Sequence, residues 1–301
     1  QGARDYQQDS FISNFPIGQK YGYAIIADGL GGHVSGEVAS ALAVSEMFAQ
    51  LKMHSDKIEN AATDLPLILR ESVELANARI AAHMNGKASL KGMGTTMLAT
   101  ILSGRQLSWV SIGDSPLLLF RDGALRRLNK DHSMASQIDA MVQVGSMSAD
   151  KGKDNPERSI LTSILNGTDI AKIDCPSTSI QLLPGDILIA ASDGLFSLSN
   201  AQLANTVSQH ALETSATLAN ALLIGLQEKN DPKQDNATFV IIKVGENVTD
   251  PTVIKAEDMP VLAMADDSEE TSPEPIKAER IERPKKKKTY FYRGQEYERE
   301  D

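Results

Sequence analysis

Ala27-Asp28-Gly29-Leu30-Gly31-Gly32-His33-Val34-Ser35-Gly36-Glu37 joins two unlike segments of this chain. Before it, the apolar run 23–27 reads as a buried strand; after it, from about Gly36, apolar residues recur at helical spacing. At the junction a carboxylate stands beside glycines that leave backbone carbonyls uncovered, a setting suited to a hard divalent cation. A lone Asp-Gly is equally a capped turn, in which the carboxylate only bonds its neighbours. Here the device returns at Asp193-Gly194 and at Asp235-Asn236, each beside an apolar strand. The cation reading therefore prevails.

With 301 residues and 41% hydrophobic content, the chain can bury the core of one large domain or two small ones. A net charge of -10 argues against a general nucleic-acid surface, while local basic patches stay open. No apolar run is long enough to span a bilayer, and no secretory leader opens the sequence. The single cysteine, Cys175, excludes an internal disulfide framework and fits a reducing cytoplasm. A cysteine-based phosphatase loop would need an arginine six residues further on, where Gln181 stands. The first motif begins almost at Gln1, so the opening strand is expected to be truncated.

Arg4-Asp5-Tyr6-Gln7-Gln8-Asp9-Ser10 is polar and gives way to Phe11-Ile12. The planar guanidinium of Arg4 suits a phosphate clamp; the plainer reading is a surface ion pair with Asp5 or Asp9. A helix is expected over about 36–54, with Val38, Leu42, Met47, Phe48 and Leu51 on one face. A second follows Asp64 as N-cap, with Pro66 in its first turn and Leu69, Val73, Ala76, Ile80 and Met84 in a stripe. Strands follow at 95–102, 107–112, 117–121, about 124–128, 180–183, 187–192 and 237–244. Ser103-Gly104-Arg105 and Arg121-Asp122-Gly123 read as hairpin turns. A third helix over about 215–228 carries Leu218, Leu222 and Leu226. Gly113-Asp114-Ser115 puts one more carboxylate at a strand end. The order describes an α+β fold: a four-layer α/β/β/α sandwich of two mainly antiparallel sheets flanked by helices.

Residues 133–172 lose this regularity, with a short helix over 136–144, a polar loop and Asn155-Pro156-Glu157-Arg158. An insertion of that length reads as a lid or recognition element. From about 246 the core signal stops in an acidic, proline-punctuated stretch, followed by the lysine run 285–288, Tyr290-Phe291-Tyr292-Arg293 and Tyr297. The expected division is a catalytic domain over 1–245 and a tail over 246–301. In the tail, 246–282 would be a flexible tether, and 283–297 would dock on a partner or on the domain itself. A solvated end is the plainer alternative.

Together, Arg4 to Asp9, Asp28-Gly29-Leu30-Gly31-Gly32-His33 through Gly36-Glu37 to Ala39-Ser40, Gly94-Thr95-Thr96, Gly113-Asp114-Ser115, Asp193-Gly194 and Asp235-Asn236 carry a resemblance. The chain resembles the metal-dependent serine/threonine protein phosphatases of type 2C (the PPM family), in their bacterial form, over about 2–244. The resemblance implies a binuclear Mn²⁺ or Mg²⁺ centre at one end of the sandwich. Asp28 would bridge the ions, the Gly29 carbonyl would complete one site, and Asp193 and Asp235 would hold the other. Asp9 is a further candidate metal ligand, and Asp114 would serve a weaker third ion. Arg4 would bind the substrate phosphate, so that Arg4, Asp28, Asp193 and Asp235 form the catalytic set, with Gln8 and His33 supporting it.

By the same resemblance the substrates are phosphorylated proteins, a cognate Ser/Thr kinase is the counterpart, and a metal-bridging water attacks phosphorus without a covalent phosphoenzyme. Two cations about 3.5–4 Å apart can share a water and clamp an in-line displacement, and oxygen-only ligands favour Mg²⁺ or Mn²⁺ over zinc. Three departures stand out: Gln8 where many relatives carry glutamate, Pro116 after Ser115 where arginine is usual, and Leu30 where the animal enzymes place a histidine proton donor. His33 lies five residues after Asp28. A catalytically weak module that binds phosphoproteins or a kinase on the same fold would be favoured by loss of a metal aspartate, yet all three are present. A nucleotide-binding reading of Gly29-Leu30-Gly31-Gly32 fails for want of βαβ alternation.

Overall fold

The computed structural model describes residues 1–16, 19–31, 34–60, 64–90 and 92–245, together with the backbone of Lys288–Tyr292 and Gln295–Arg299. It divides into two units, Gln1–Pro251 and Thr252–Asp301. The larger unit begins β1 (Asp9–Asn14), β2 (Tyr21–Leu30), α1 (Val34–Met53), α2 (Ser55–Glu59) and α3 (Leu65–Met84). Then come β3 (Gly94–Thr95), β4 (Met97–Ser103), β5 (Gln106–Ile112), β6 (Leu117–Arg121) and β7 (Ala124–Arg127). The rest is α4 (Met134–Gln143), α5 (Ala149–Lys153), β8 (Ile180–Gln181), β9 (Ile187–Ala191), α6 (Asn200–Gln209), α7 (Ser215–Lys229) and β10 (Phe239–Lys243).

One sheet has the order β1-β2-β4-β5-β8, with β3 paired to β2; the other has the order β10-β9-β6-β7. The pairings between named strands are antiparallel. The layers follow from the two-residue period of a strand. On β2, Tyr23, Ile25 and Ala27 face a core shared with Ala43, Met47, Leu51, Leu69 and Val73 of α1 and α3. The intervening Ala24 and Ile26 join Leu98, Trp109, Leu117, Leu119, Leu188 and Ala190 between the two sheets. Across the second sheet, Leu118, Phe120, Ile187 and Ile189 pack on Leu203, Val207, Leu218 and Leu222 of α6 and α7. Three cores separate four layers, as expected. They also explain why β4 and β9 are buried at every position and β2 at nearly every one: each is covered on both faces.

Several local expectations change. The first helix breaks near His54, and the short α2 follows it. Asp64 occupies the N-cap of α3, but its carboxylate makes no cap bond and accepts from Lys57 Nζ at 2.7 Å instead. Strand β8 stops after two residues, and the last strand starts only at Phe239. The helix α6 was not expected at all. The short helix of the insertion is present as α4, with Ser133 Oγ accepting from Ala135 N. Beyond it the chain is pinned to the domain, by bridges from Leu161 to Ser133, Leu165 to Thr95 and Asp174 to Ser111.

In the smaller unit, β11 (Lys288–Tyr292) and β12 (Gln295–Arg299) form an antiparallel pair in which Tyr290 is opposite Tyr297. The expected tether over 246–282, and the part of the docking segment before Lys288, lie outside the described residues. Among the described residues no helix is long and apolar enough to cross a membrane.

Candidate active site

The register of β1 on β2 sets Asp9 opposite Asp28. On β2, Asp28 continues the alternation of Ala24 and Ile26, so it belongs to the face between the sheets, at their end. Its backbone is held from β3: Asp28 N donates to Thr96 Oγ1 at 2.9 Å, and Asp28 O accepts from Thr95 Oγ1 and Thr96 N, both at 2.8 Å. The other sheet delivers Ser192 just past β9, and Ser192 Oγ donates to Asp9 Oδ2 at 2.8 Å. Thr238 N donates to the same Ser192 Oγ at 3.0 Å. One serine thus joins the ends of both sheets, one residue before Asp193.

Asn236 ties in the N-terminal segment. Its Oδ1 accepts from Gln8 N at 2.8 Å, while its Nδ2 donates to Gln1 O at 2.8 Å and Tyr6 O at 3.1 Å. Arg4 is thereby carried to Asp235, with Nη2 to Oδ2 at 2.5 Å. The ion pair considered with Asp5 or Asp9 is therefore made instead with a residue 231 positions away. Gln8 O accepts from Gly29 N at 3.1 Å and from Ser40 Oγ at 2.6 Å, and its side-chain amide lies against Gly36. Asp114 follows Gly113, whose φ of +95° and contact with Thr96 leave no room for a side chain. Arg127 Nη2 donates to Asp114 O at 2.7 Å and Nη1 to Asp131 Oδ2 at 2.8 Å.

The electrostatics show that these acids form one group. Burial pushes Asp28 up to about 10, helped by the charges of Asp9, Asp193, Asp114 and Asp235. Asp114 is raised to about 7 by burial and by Asp193 and Asp131, against the opposing pull of Arg127. Asp9 and Asp193 are raised too, first by burial. At the mouth, the hydrogen bond and charge of Asp235 raise Arg4.

A hard divalent cation fits this donor set. Asp9 Oδ1 and Asp193 Oδ1 are buried without a hydrogen-bond partner, an arrangement that costs free energy unless something positive meets them. Among the described residues no group of three or more His, Cys, Asp or Glu side chains is arranged as a ready-made ion site. Mg²⁺-like ions do not require one, because they keep several waters and take only one or two carboxylates each.

The fold thus brings together Arg4, Asp9, Asp28, Asp114, Asp193 and Asp235, with the Gly29 and Gln8 backbones beside them. His33 lies outside the described residues. Sequence reasoning missed Ser192, the two threonines as holders of Asp28, and Arg127. A serine or threonine at a strand end looks ordinary in a sequence. The available signal was position: each stands one or two residues from a strand-end carboxylate or in the Gly94-Thr95-Thr96 turn.

Residues 3–170 match the Protein phosphatase 2C family. The serine/threonine protein phosphatase PstP of Mycobacterium tuberculosis is 34% identical over 170 residues, which are 56% of this chain and 31% of PstP. The chain thus spans about a third of that relative's length. The serine/threonine phosphatase stp of Listeria monocytogenes is 27% identical over 220 residues, 73% of this chain and 83% of the relative. A crystal structure of the catalytic domain of PstP in complex with two manganese ions superposes with a TM-score of 0.59 at 25% identity, covering 78% of this chain and 97% of that one.

Proposed function

The chain belongs to the protein phosphatase 2C family, and from that premise we propose that it is a metal-dependent phosphatase of phosphoserine and phosphothreonine in proteins. The observation that carries this reading is the meeting of five aspartates from distant segments around buried carboxylate oxygens that no donor among the described residues satisfies. Asp28 would stand between two ions with the Gly29 carbonyl, Asp193 and Asp235 would hold the second ion, and Asp114 a weaker third. Asp9, bonded to Ser192, backs Asp28 and adds to the negative charge that draws cations in. When bound, such a pair of Mn²⁺ or Mg²⁺ ions supplies Lewis acidity, lowering the pKa of a shared water and offsetting charge on the phosphoryl oxygens.

The chain's own residues do the positioning. Thr95 and Thr96 clamp the Asp28 backbone, so its carboxylate is held where it is needed rather than swinging with a loose strand end. Arg4 presents a fork to two phosphoryl oxygens. With 56% of its side chain exposed and 39% of that of Asp235, their ion pair is weak enough for an arriving phosphate to displace or share. The substrates are proteins phosphorylated on serine or threonine, so a kinase of that specificity must precede this enzyme.

Phosphopeptide turnover should require Mn²⁺ or Mg²⁺ and stop on addition of EDTA. Asp193→Asn and Asp235→Asn should each lower it roughly 100-fold or more, the scale of losing one group that stabilises charge in a transition state. Calorimetry with Mn²⁺ should show weakened binding in both. Wild-type turnover by either variant at limiting Mn²⁺ would remove that residue from the metal set.

A further inference from the structure

On the side of the insertion lies a cavity of about 580 Å³, lined by Lys130, Asp131, His132, Ser136, Lys172 and Ile173. His132 is 4% exposed. Its Nδ1 accepts from Gly113 N at 3.3 Å, which places the proton of the neutral ring on Nε2. Burial holds the ring neutral against the charges of Asp174 and Asp131, with Lys172 and Arg127 helping, so this tautomer persists. Among the described residues Nε2–H has no acceptor. His132 lines the cavity, so a group arriving there can accept from this nitrogen.

Two lysines of the same lining supply positive charge for a negative acceptor. Lys130 is largely exposed, with Nζ 3.9 Å from Asp174, and Lys172 Nζ donates to the Thr162 hydroxyl at 3.3 Å. The two nearby acids are already engaged. Asp131 accepts from Arg127 at 2.8 Å and Ser133 N at 2.9 Å, and Asp174 accepts from Trp109 Nε1 and Lys130 N, both at 3.0 Å. We propose that this cavity receives an acidic side chain of the substrate protein a few residues from the phosphorylated one, held by His132 Nε2–H, Lys130 and Lys172. Lysines act as point charges and suit a carboxylate without the bidentate fork expected of a dedicated phosphate site. Gly113 connects the two sites, since it bonds His132 and precedes Asp114, so one extended peptide can reach both. Part of the cavity wall, Ser136 and Lys172, comes from the insertion, which thereby acts in recognition.

This inference rests on the proposed activity, and the test separates the two. Phosphopeptides with glutamates flanking the phosphoserine are compared with alanine-flanked ones, and p-nitrophenyl phosphate serves as a substrate too small to reach the cavity. The intact chain should favour the glutamate peptide through KM. Lys130→Gln with Lys172→Gln should raise that KM about fivefold to tenfold, from two partly exposed ion pairs. Its kcat, the alanine peptide and p-nitrophenyl phosphate should be unchanged, and the preference should fade with salt. An equal KM for both peptides, or one untouched by the double variant, overturns the inference. If no phosphopeptide is turned over, the proposed activity fails, and ¹⁵N-histidine spectra decide the inference alone. A saturable shift of His132 Nε2 on adding the glutamate peptide, lost in the double variant, supports it; no shift overturns it.

Discussion

At Gly194 a side chain has nowhere to go, since a Cβ would stand 1.9 Å from the backbone oxygen of Asn236. At Gly29 it would stand 2.1 Å from Gly36 O. The glycine after each aspartate therefore serves close approach of two backbones as well as leaving carbonyls open. One approach brings Asp193 to the Asp235 turn; the other brings the start of α1 to Asp28. Gly194→Ala should destabilise the fold by about 1–3 kcal/mol, the range of overpacking in a filled site. Because the intruded atom is backbone, Asp193 should be displaced as well. Urea unfolding should show a lower midpoint and phosphopeptide assays a lower turnover; wild-type values in both would mean the turn relaxes without cost.

Among elements, α6 shows how a helix hides from a periodicity search. Its ten residues carry only Leu203 and Val207 into the core, too few to draw a stripe. Its start, however, is marked chemically: Ser199 Oγ accepts from Gln202 N, and Gln202 Oε1 accepts from Ser199 N. Ser199→Ala should cost about 1 kcal/mol through the orphaned N–H groups of the first turn. Chemical denaturation reads this directly, and an unchanged midpoint would assign α6 entirely to its packing on the second sheet. The insertion is the opposite case. Its α4 is capped and recognisable, but the irregular chain after it is placed by the bridges from Leu161, Leu165 and Asp174.

For the whole molecule, the cost of gathering the acids should appear in its response to pH. Asp28, at about 10, and Asp114, at about 7, are raised above the ordinary carboxylate value of 3.8. The folded state therefore binds more protons than the unfolded one. This contribution to stability is complete below the unfolded pKa and is lost as pH rises through the folded values. The melting temperature of the metal-free protein should fall from about pH 4 towards pH 10. Millimolar Mg²⁺ should flatten the fall, because a cation then takes the place of the proton. Parallel melting series in EDTA and in Mg²⁺ test this; identical slopes would mean that no ion meets these carboxylates.

The elements were legible wherever neighbouring residues record the structure. Apolar runs marked the strands, helical spacing marked α1, α3 and α7, and the recurrence of Asp-Gly and Asp-Asn at strand ends marked Asp28, Asp193 and Asp235. Those signals are local, and alternation and spacing are properties of adjacent positions. What only the tertiary structure decided was which ends meet. Asp9 stands opposite Asp28 through the register of two strands. Arg4 reaches Asp235 because Asn236 binds Gln8, Gln1 and Tyr6, and Ser192 joins two sheets by one hydrogen bond to Asp9. His132 stands in no motif of the sequence, and its Nε2 donor emerges only once Gly113 has claimed the other nitrogen. A side chain's partner is set by closure of the chain over long separations, and adjacent residues carry no record of that closure.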